Sequence, residues 1–171
     1  MTSKAKAKGN SWELEIAKFL SSLYNESFIR APGSGAYIGG SNTARKQFLD
    51  EGKIRSFKGD IIPGESFPKF NAEAKNYKEL AFHQLISGEC KQFDAWLAQL
   101  MDVADPEDLN LLMVKITRKG KFIAVEEKNF PALKLPNNYI RYTSQKLGPW
   151  YVMDFDEFWA INASAVKQLC A

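Results

Sequence analysis

Apolar and polar residues alternate along residues 70–77, which read FNAEAKNY. Phe70, Ala72 and Ala74 occupy every second position, and this two-residue period is typical of a strand with one buried face. In that geometry the side chains of Glu73 and Lys75 lie next to each other on the other face. The commonest arrangement of this kind is a solvated face that carries one pair of opposite charges. The alternation alone therefore does not distinguish a solvent-exposed strand face from a functional site.

Apolar positions spaced three and four residues apart predict helices elsewhere in the chain. The first covers residues 11–24, with Asn10 or Ser11 as its N-cap. A second helical region covers residues 79–104, and a serine-glycine pair is expected to divide it in two. A third helix covers residues 156–169 and closes the chain. Each of these segments has an apolar stripe that must pack against another element.

Short apolar runs bounded by turn residues predict further strands. They cover residues 27–30, 60–62, 109–117, 121–127 and 149–153. The third and fourth of these are separated by three residues that include a glycine, so we expect them to form a hairpin. Taken in chain order, the helices and strands predict an α/β or α+β domain with a mixed sheet.

The composition indicates one globular domain, residues 1–171. Of the 171 residues, 45% are hydrophobic and 25% are charged, which suits a sizeable core. No apolar run reaches membrane-spanning length, and the basic N-terminus is not followed by the apolar stretch of a signal peptide. We therefore expect a cytoplasmic protein without a membrane partner. Two widely separated cysteines suit a reducing compartment, and with a single histidine they argue against a zinc site but leave carboxylate metal sites open.

Positive charge is concentrated in the first third of the chain. Residues 1–60 contain ten Lys and Arg against six Asp and Glu, whereas the rest of the chain is nearly neutral. A basic front end on a neutral body is a weak indication of a polyanionic partner such as DNA. A lysine-rich terminus that only keeps the protein soluble gives the same pattern.

Asp60 changes the interpretation of Glu73, because it begins the preceding strand with twelve residues between the two acids. If the two strands pair as a hairpin, the carboxylates converge at one end of the sheet. Carboxylates held together repel each other unless they share a proton or a cation, and Mg2+ prefers such oxygen ligands. The carbonyl of Ala74 could complete the ligands. Lys75 would face the same place, to orient a metal-bound water or to balance charge on a phosphate.

This D-x12-E-A-K arrangement resembles that of the PD-(D/E)xK nucleases, the restriction-endonuclease-like family. Residues 8–13, KGNSWE, resemble the K-G-x-x-x-E opening of archaeal-type Holliday junction resolvases, and residues 30–35, RAPGSG, resemble the R-x-x-G-S segment of the same proteins. Helical geometry places Glu13 and Glu15 on opposite borders of the apolar stripe, so only the resemblance favours Glu13. Gly59 stands where the family name has proline.

The resemblance implies an α/β fold with a restriction-endonuclease-like core, in which helices flank a central mixed β-sheet. The core covers about residues 6–127, and residues 128–171 form a C-terminal extension without a counterpart. The implied activity is hydrolysis of DNA phosphodiester bonds in four-way junctions, as in DNA recombination and repair. The implied cofactor is Mg2+, for which Mn2+ can substitute. Two symmetric cuts in a junction imply a homodimer.

The resemblance and the chain's charge also imply roles for individual residues. The expected catalytic residues are Glu13, Asp60, Glu73 and Lys75, and the expected metal ligands are Asp60, Glu73 and Ala74. Expected DNA contacts come from basic, small polar and aromatic residues near the N-terminus, namely Lys8, Arg30, Ser34, Tyr37, Arg45, Lys46, Arg55 and Lys58. Gln84 and Gln92 are candidate accessory residues, with solvated helix faces as the alternative.

Two other functions remain open at this point. The first is a restriction- or repair-type PD-(D/E)xK nuclease that cuts linear or nicked DNA. The second is a catalytically silent protein that binds DNA through its basic segment. The complete set of Asp60, Glu73 and Lys75 favours an enzyme, because a silent relative has no need to retain all three.

Overall fold

The computed structural model describes residues 4–32 and 58–171, and its first element is helix α1 (Lys4–Tyr24). The helix begins well before Asn10 and Ser11, so the predicted N-cap is wrong. Residues 4–8 alternate lysine and alanine, which are strong helix formers. They carry no apolar stripe, and the hydrophobic pattern therefore gave no sign of this first turn and a half.

Two very short strands follow α1. Strand β1 (Ile29–Arg30) pairs antiparallel with β2 (Ile61–Ile62), which makes a separate two-stranded sheet. The predicted hairpin between the Asp60 strand and the next strand is not what the structure contains, since β2 pairs with β1. A backbone hydrogen bond of 2.9 Å from Asp60 N–H to the Ala72 carbonyl nevertheless joins this small sheet to the neighbouring strand.

A five-stranded mixed sheet forms the centre of the fold. Its strands are β3 (Phe70–Tyr77), β4 (Leu109–Ile116), β5 (Gly120–Glu126), β6 (Tyr139–Ser144) and β7 (Gly148–Asp154). Their order across the sheet is β3-β4-β5-β7-β6. Only β3 and β4 run parallel, and the predicted hairpin of β4 and β5 is confirmed by their antiparallel pairing. Strand β3 therefore lies at one edge of this sheet, next to β2.

Helices cover both faces of the sheet. They are α1, α2 (Phe82–Ser87), α3 (Lys91–Asp102) and α4 (Phe155–Cys170), and a single 3-10 turn (Glu127–Asn129) follows β5. One core cluster contains apolar residues of α1, α4 and one sheet face, and the other contains those of α2, α3 and the opposite face. The α/β class with a central mixed sheet between helices is thereby confirmed. In the described ranges, no helix is long and apolar enough to cross a membrane.

The C-terminal extension completes this sheet. Strand β7 pairs with β5, and β6, which was not among the predicted strands, forms the far edge. Asp154 caps α4 by accepting a 2.9 Å hydrogen bond from the N–H of Glu157. The ring of Phe155 packs edge-on against that of Trp12 in α1, with centroids 5.5 Å apart. The extension and the first helix thus share one hydrophobic core.

Candidate active site

Asp60 lies just before β2 and makes three hydrogen bonds with backbone groups of other residues. Its N–H donates to the Ala72 carbonyl, and its own carbonyl accepts from the N–H of Ala31 at 2.8 Å. Its carboxylate oxygen Oδ2 accepts a 2.7 Å bond from the N–H of Ala74. With 2% of its surface exposed, this acid is almost completely buried. The carboxylate therefore lies against the outer edge of β3.

Gly59 makes this approach possible. Its φ of +72° lies in the left-handed region, and a Cβ at this position would be 2.5 Å from the Ala72 carbonyl oxygen. Proline, whose ring holds φ near −65°, cannot adopt this conformation. The glycine that stands in place of the family's proline is thus required by the local backbone.

Glu73 and Lys75 lie on β3, on the face that packs against α3. Their side chains are next to each other, as the alternating pattern predicted, with 3.4 Å between the Lys75 Nζ and the Glu73 Oε1. Glu73 is 4% exposed, so its carboxylate has little access to bulk water. An acid and a base are therefore held together on a part of the strand that has little access to solvent.

The pKa of Glu73 is raised to about 8. Burial is the largest cause, because it disfavours the charged carboxylate, and the charge of Asp60 adds to it. The ammonium of Lys75 lowers the pKa and only partly offsets these effects. Without a cation, this pair of carboxylates favours sharing a proton.

Gln99 of α3 holds the Lys75 ammonium by accepting a hydrogen bond at Oε1. The sequence analysis did not single out this residue. A signal was available, because Gln99 lies two helical turns after Gln92, on the border of the buried stripe of α3. Lys75 is therefore held between Glu73 on its own strand and Gln99 on the covering helix.

The two glutamines named from the sequence lie elsewhere. Gln92 donates its side-chain N–H to the carbonyl of Glu79, at 3.3 Å. Gln84 is exposed on α2. Neither glutamine has a described hydrogen bond to Asp60, Glu73 or Lys75, whereas Gln99 bonds to Lys75.

Glu13 forms a second polar cluster on α1. Its Oε2 accepts a 2.6 Å charge-assisted bond from Nε of Arg30, while another guanidinium nitrogen of Arg30 donates to the Asn10 side chain at 2.8 Å. Arg30 pairs with Ile61 in the two-stranded sheet, directly after Asp60. The K-G-x-x-x-E segment and the R-x-x-G-S segment are thus joined beside the strand that Asp60 begins.

Asp60, Glu73 and the Ala74 carbonyl provide the atoms that Mg2+ uses in proteins. Residues two apart on a strand direct their backbone groups to the same side, so the Ala74 carbonyl faces the Asp60 edge, as the Ala72 carbonyl does. Magnesium is commonly bound by one or two carboxylates and keeps several waters, which fits this set. In the described part of the chain, no three or more His, Cys, Asp or Glu side chains group to hold a metal.

The predicted DNA contacts have different outcomes. Lys58 is buried, and its ammonium donates to Asp108 and, at 3.0 Å, to Asp105, so the expected DNA contact is corrected to an internal ion pair. Lys8 is half-buried and donates to the Thr117 hydroxyl. Arg30 keeps about a third of its side chain exposed. Outside the described residues lie the other predicted contacts, Ser34, Tyr37, Arg45, Lys46 and Arg55.

The chain matches a protein-family model over more residues than the segments that carry the sequence resemblance. The family model described as "Phage putative PDDEXK endonuclease" matches residues 4–168, which includes nearly the whole C-terminal extension. No curated protein and no solved structure matches the chain. The match contains the four acids and bases of the site, Glu13, Asp60, Glu73 and Lys75. The chain therefore belongs to the phage PDDEXK endonuclease family.

Proposed function

We propose that the protein is a Mg2+-dependent endodeoxyribonuclease that resolves four-way DNA junctions. One observation carries the catalytic part, namely the convergence of Asp60, Glu73 and Lys75 at the buried edge of β3. Membership of a nuclease family supports hydrolysis of nucleic acid. The preference for junctions rests on the resemblance of residues 8–13 and 30–35 to archaeal-type resolvases.

Asp60 and Glu73, with the Ala74 carbonyl, would hold the metal ion. When bound, Mg2+ supplies Lewis-acid polarisation of the phosphodiester and lowers the pKa of the attacking water. The protein's part is to keep the two carboxylates close together. Backbone hydrogen bonds hold Asp60 against β3, whereas Glu73 must lose its proton against the effects of burial and of the Asp60 charge.

Lys75 supplies a positive charge beside these acids. Gln99 and Glu73 restrict its ammonium from two sides, so it remains at the site before DNA arrives. There it can orient the attacking water or stabilise negative charge as it develops on the phosphate oxygens. In the reaction the water oxygen bonds to phosphorus, the opposite P–O bond breaks, and a proton passes to the leaving oxygen.

Glu13 would act as an accessory acid through its contact with Arg30. The guanidinium has five N–H donors, of which two bond to Glu13 and Asn10. The remaining donors can contact a DNA phosphate while the salt bridge stays intact. We further propose a twofold homodimer, since two symmetric cuts in one junction require two active sites.

Cleavage of an immobile four-way junction and of a linear duplex of the same sequence tests this proposal. Both substrates are incubated with wild-type protein in Mg2+, in Mn2+ and in EDTA. We expect metal-dependent cutting of the junction and much slower cutting of the duplex. Cutting that survives EDTA would refute the metal mechanism, while equal cutting of both substrates would refute the junction preference and indicate a restriction- or repair-type enzyme.

Glu73→Gln and Glu15→Gln form a matched pair for the same assay. Both remove one carboxylate charge and keep the side-chain shape, but Glu15 is about half exposed and pairs with Lys115 away from the catalytic acids. We expect Glu73→Gln to bind junctions without cutting them and Glu15→Gln to cut normally. A Glu73→Gln protein that cuts as fast as wild type would exclude this residue as a catalytic ligand.

A further inference from the structure

A basic cavity of about 600 Å³ lies at the C-terminal end of β3, beyond the catalytic residues. Four of the six side chains that line it are cationic and one is acidic, and they come from α1, from the segment after β3 and from the β4–β5 turn. The lining residues are Lys8, Lys78, Glu79, Thr117, Arg118 and Lys119. We refer to this feature as the basic cavity.

Hydrogen bonds connect the three segments that line the basic cavity. The N–H of Thr117 donates to the Tyr77 carbonyl at 3.0 Å, which ties the β4–β5 turn to the end of β3. The side-chain N–H of Asn76 donates to the Lys8 carbonyl, also at 3.0 Å, and the Lys8 ammonium donates to the Thr117 hydroxyl. The cavity is therefore a built feature of the folded chain, placed on the strand that carries Lys75.

The positive charge of the basic cavity is largely uncompensated. Nearby lysines on the same strands are neutralised, since Lys115 pairs with Glu15 at 3.0 Å and Lys121 with Asp156 at 3.3 Å. Among the described residues, Lys78, Arg118 and Lys119 have no carboxylate within ion-pair distance. Like charges gathered around one cavity repel each other, and an anion placed between them relieves that repulsion.

We propose that the basic cavity binds a backbone phosphate of the DNA about three base steps from the bond that is cut. This inference rests on the proposed function, because it assigns part of the substrate to a second place on the enzyme. Lys78 lies three residues beyond Lys75, about 10 Å along an extended chain. That span corresponds to about three base steps along a duplex axis. A phosphate held there positions the strand and carries no sequence information.

The salt dependence of DNA binding tests the inference without requiring cleavage. The triple variant Lys78→Ala/Arg118→Ala/Lys119→Ala is compared with Lys128→Ala/Lys134→Ala/Lys146→Ala, which removes the same charge from exposed positions of the C-terminal extension. Fluorescence anisotropy with a labelled four-way junction gives the affinity over a series of KCl concentrations, in EDTA. Circular dichroism and thermal unfolding confirm that both variants are folded.

We expect the cavity variant to bind about 10-fold more weakly, with a log-log salt slope smaller in magnitude by about 0.9, which is the change that one lost phosphate contact produces. The control variant should keep the wild-type slope. Equal slopes for the two variants would overturn the inference. Inorganic phosphate at constant ionic strength should weaken junction binding by the wild-type protein more than by the cavity variant, because it competes for the same cations, and equal weakening of both proteins would overturn the inference.

The two proposals fail in different ways. Wild-type protein that binds the junction in EDTA but never cuts it with Mg2+ or Mn2+ would refute the proposed nuclease function and leave the binding measurement valid. Wild-type protein that cuts, together with a cavity variant whose salt slope is unchanged, would refute the basic cavity as a DNA contact and leave the nuclease function intact.

Discussion

The main-chain N–H of Ala74 donates a 2.7 Å hydrogen bond to the Asp60 carboxylate. Ala74 lies between Glu73 and Lys75, so the strand that carries one acid and the base also orients the other acid. The repulsion between the carboxylates is therefore built into the folded chain before any cation binds. Burial and this repulsion together raise the pKa of Glu73.

In EDTA, Glu73 should make stability fall as the pH rises. Its folded-state pKa of about 8 lies above the ordinary 4.5, so between these values the folded protein holds a proton that the unfolded protein releases. The stabilising contribution of Glu73 to the free energy of unfolding is fully present below about pH 4.5 and is lost as the pH rises through 8. We expect Glu73→Gln to be more stable than wild type by about 2–4 kcal/mol above pH 8, as measured by urea unfolding.

Two comparisons identify the source of that difference. Glu15→Gln, which removes an exposed carboxylate, should follow the wild-type pH profile. Saturating Mg2+ should stabilise the wild type and leave Glu73→Gln unchanged, because a ligand stabilises only the protein that binds it. A difference between wild type and Glu73→Gln that is the same at every pH would contradict the raised pKa.

Gln99 should affect the chemical step without affecting DNA binding. Its Oε1 accepts a hydrogen bond from Lys75, and Gln99→Leu removes this acceptor while keeping much of the volume. We expect kcat to fall about tenfold with KM unchanged, whereas Lys75→Met should lower kcat by about 100-fold or more. Steady-state cleavage of a four-way junction at a series of DNA concentrations gives kcat and KM for both variants.

Gln92→Leu is the matched control for Gln99, because Gln92 lies on the same helix but bonds only to the Glu79 carbonyl among its described contacts. It should cut at the wild-type rate. If Gln99→Leu raised KM and left kcat unchanged, its role would be in DNA binding instead of in positioning Lys75. A kcat in Gln99→Asn between those of Gln99→Leu and wild type would support loss of the hydrogen bond as the cause of the lower kcat.

Alanine substitutions at Gly59 and Gly88 distinguish the energetic cost of backbone strain from that of a steric collision. Both have positive φ, +72° and +102°, but a Cβ on Gly59 would collide with the Ala72 carbonyl, whereas a Cβ on Gly88 would have no atom within 4 Å. We expect Gly88→Ala to cost about 1 kcal/mol and Gly59→Ala about 3 kcal/mol. Thermal unfolding measures both costs.

The same pair should differ in activity. The collision at Gly59 would push Asp60 away from β3, so Gly59→Ala should require more Mg2+ for half-maximal cleavage. Gly88→Ala should keep the wild-type Mg2+ requirement, because Gly88 ends α2 at a distance from β3. Unchanged metal dependence in a folded Gly59→Ala protein would show that Asp60 tolerates the shift.

Lys58 should be a strong determinant of stability. Its buried ammonium faces Asp105 and Asp108, and Lys58→Met leaves the equally buried Asp108 carboxylate without this cation. Breaking such a pair typically costs about 3–5 kcal/mol. Lys69→Met is the control, since Lys69 and Glu107 are exposed and 4.0 Å apart, a type of pair worth less than about 1 kcal/mol. Urea unfolding at neutral pH should separate the two variants clearly.

The sequence was most informative where local pattern and chemistry coincide. The alternation in residues 70–77 predicted strand β3 and the adjacency of Glu73 and Lys75, both of which the structure contains. Asp60 also lies beside that strand, but through hydrogen bonds with the backbone of Ala72 and Ala74 and not through the hairpin that was expected. Proximity of the two acids was therefore predictable, and the connection that produces it was not.

Contacts made by polar side chains across long distances were harder to predict. Lys58 follows a basic segment, so its charge suggested DNA, whereas its partners Asp105 and Asp108 lie nearly fifty residues away. The helical pattern places Gln99 on the border of the buried stripe of α3, but it does not say which strand that border faces, and the contact with Lys75 was therefore not predicted. Strand β6 carries the alternation of exposed and buried residues expected of an edge strand, and this signal in residues 139–144 was available but unused.

Helix α3 connects both sides of the catalytic edge. Gln99 within the helix holds Lys75, and Asp105 and Asp108 just after its end hold Lys58, two residues before Asp60. A small displacement of this helix would thus move the base and the first acid together. Cleavage activity should therefore be sensitive to substitutions of the apolar residues that pack α3 against the sheet, even though these residues do not contact DNA. The reason is that the same helix positions Lys75 and the segment that leads into Asp60.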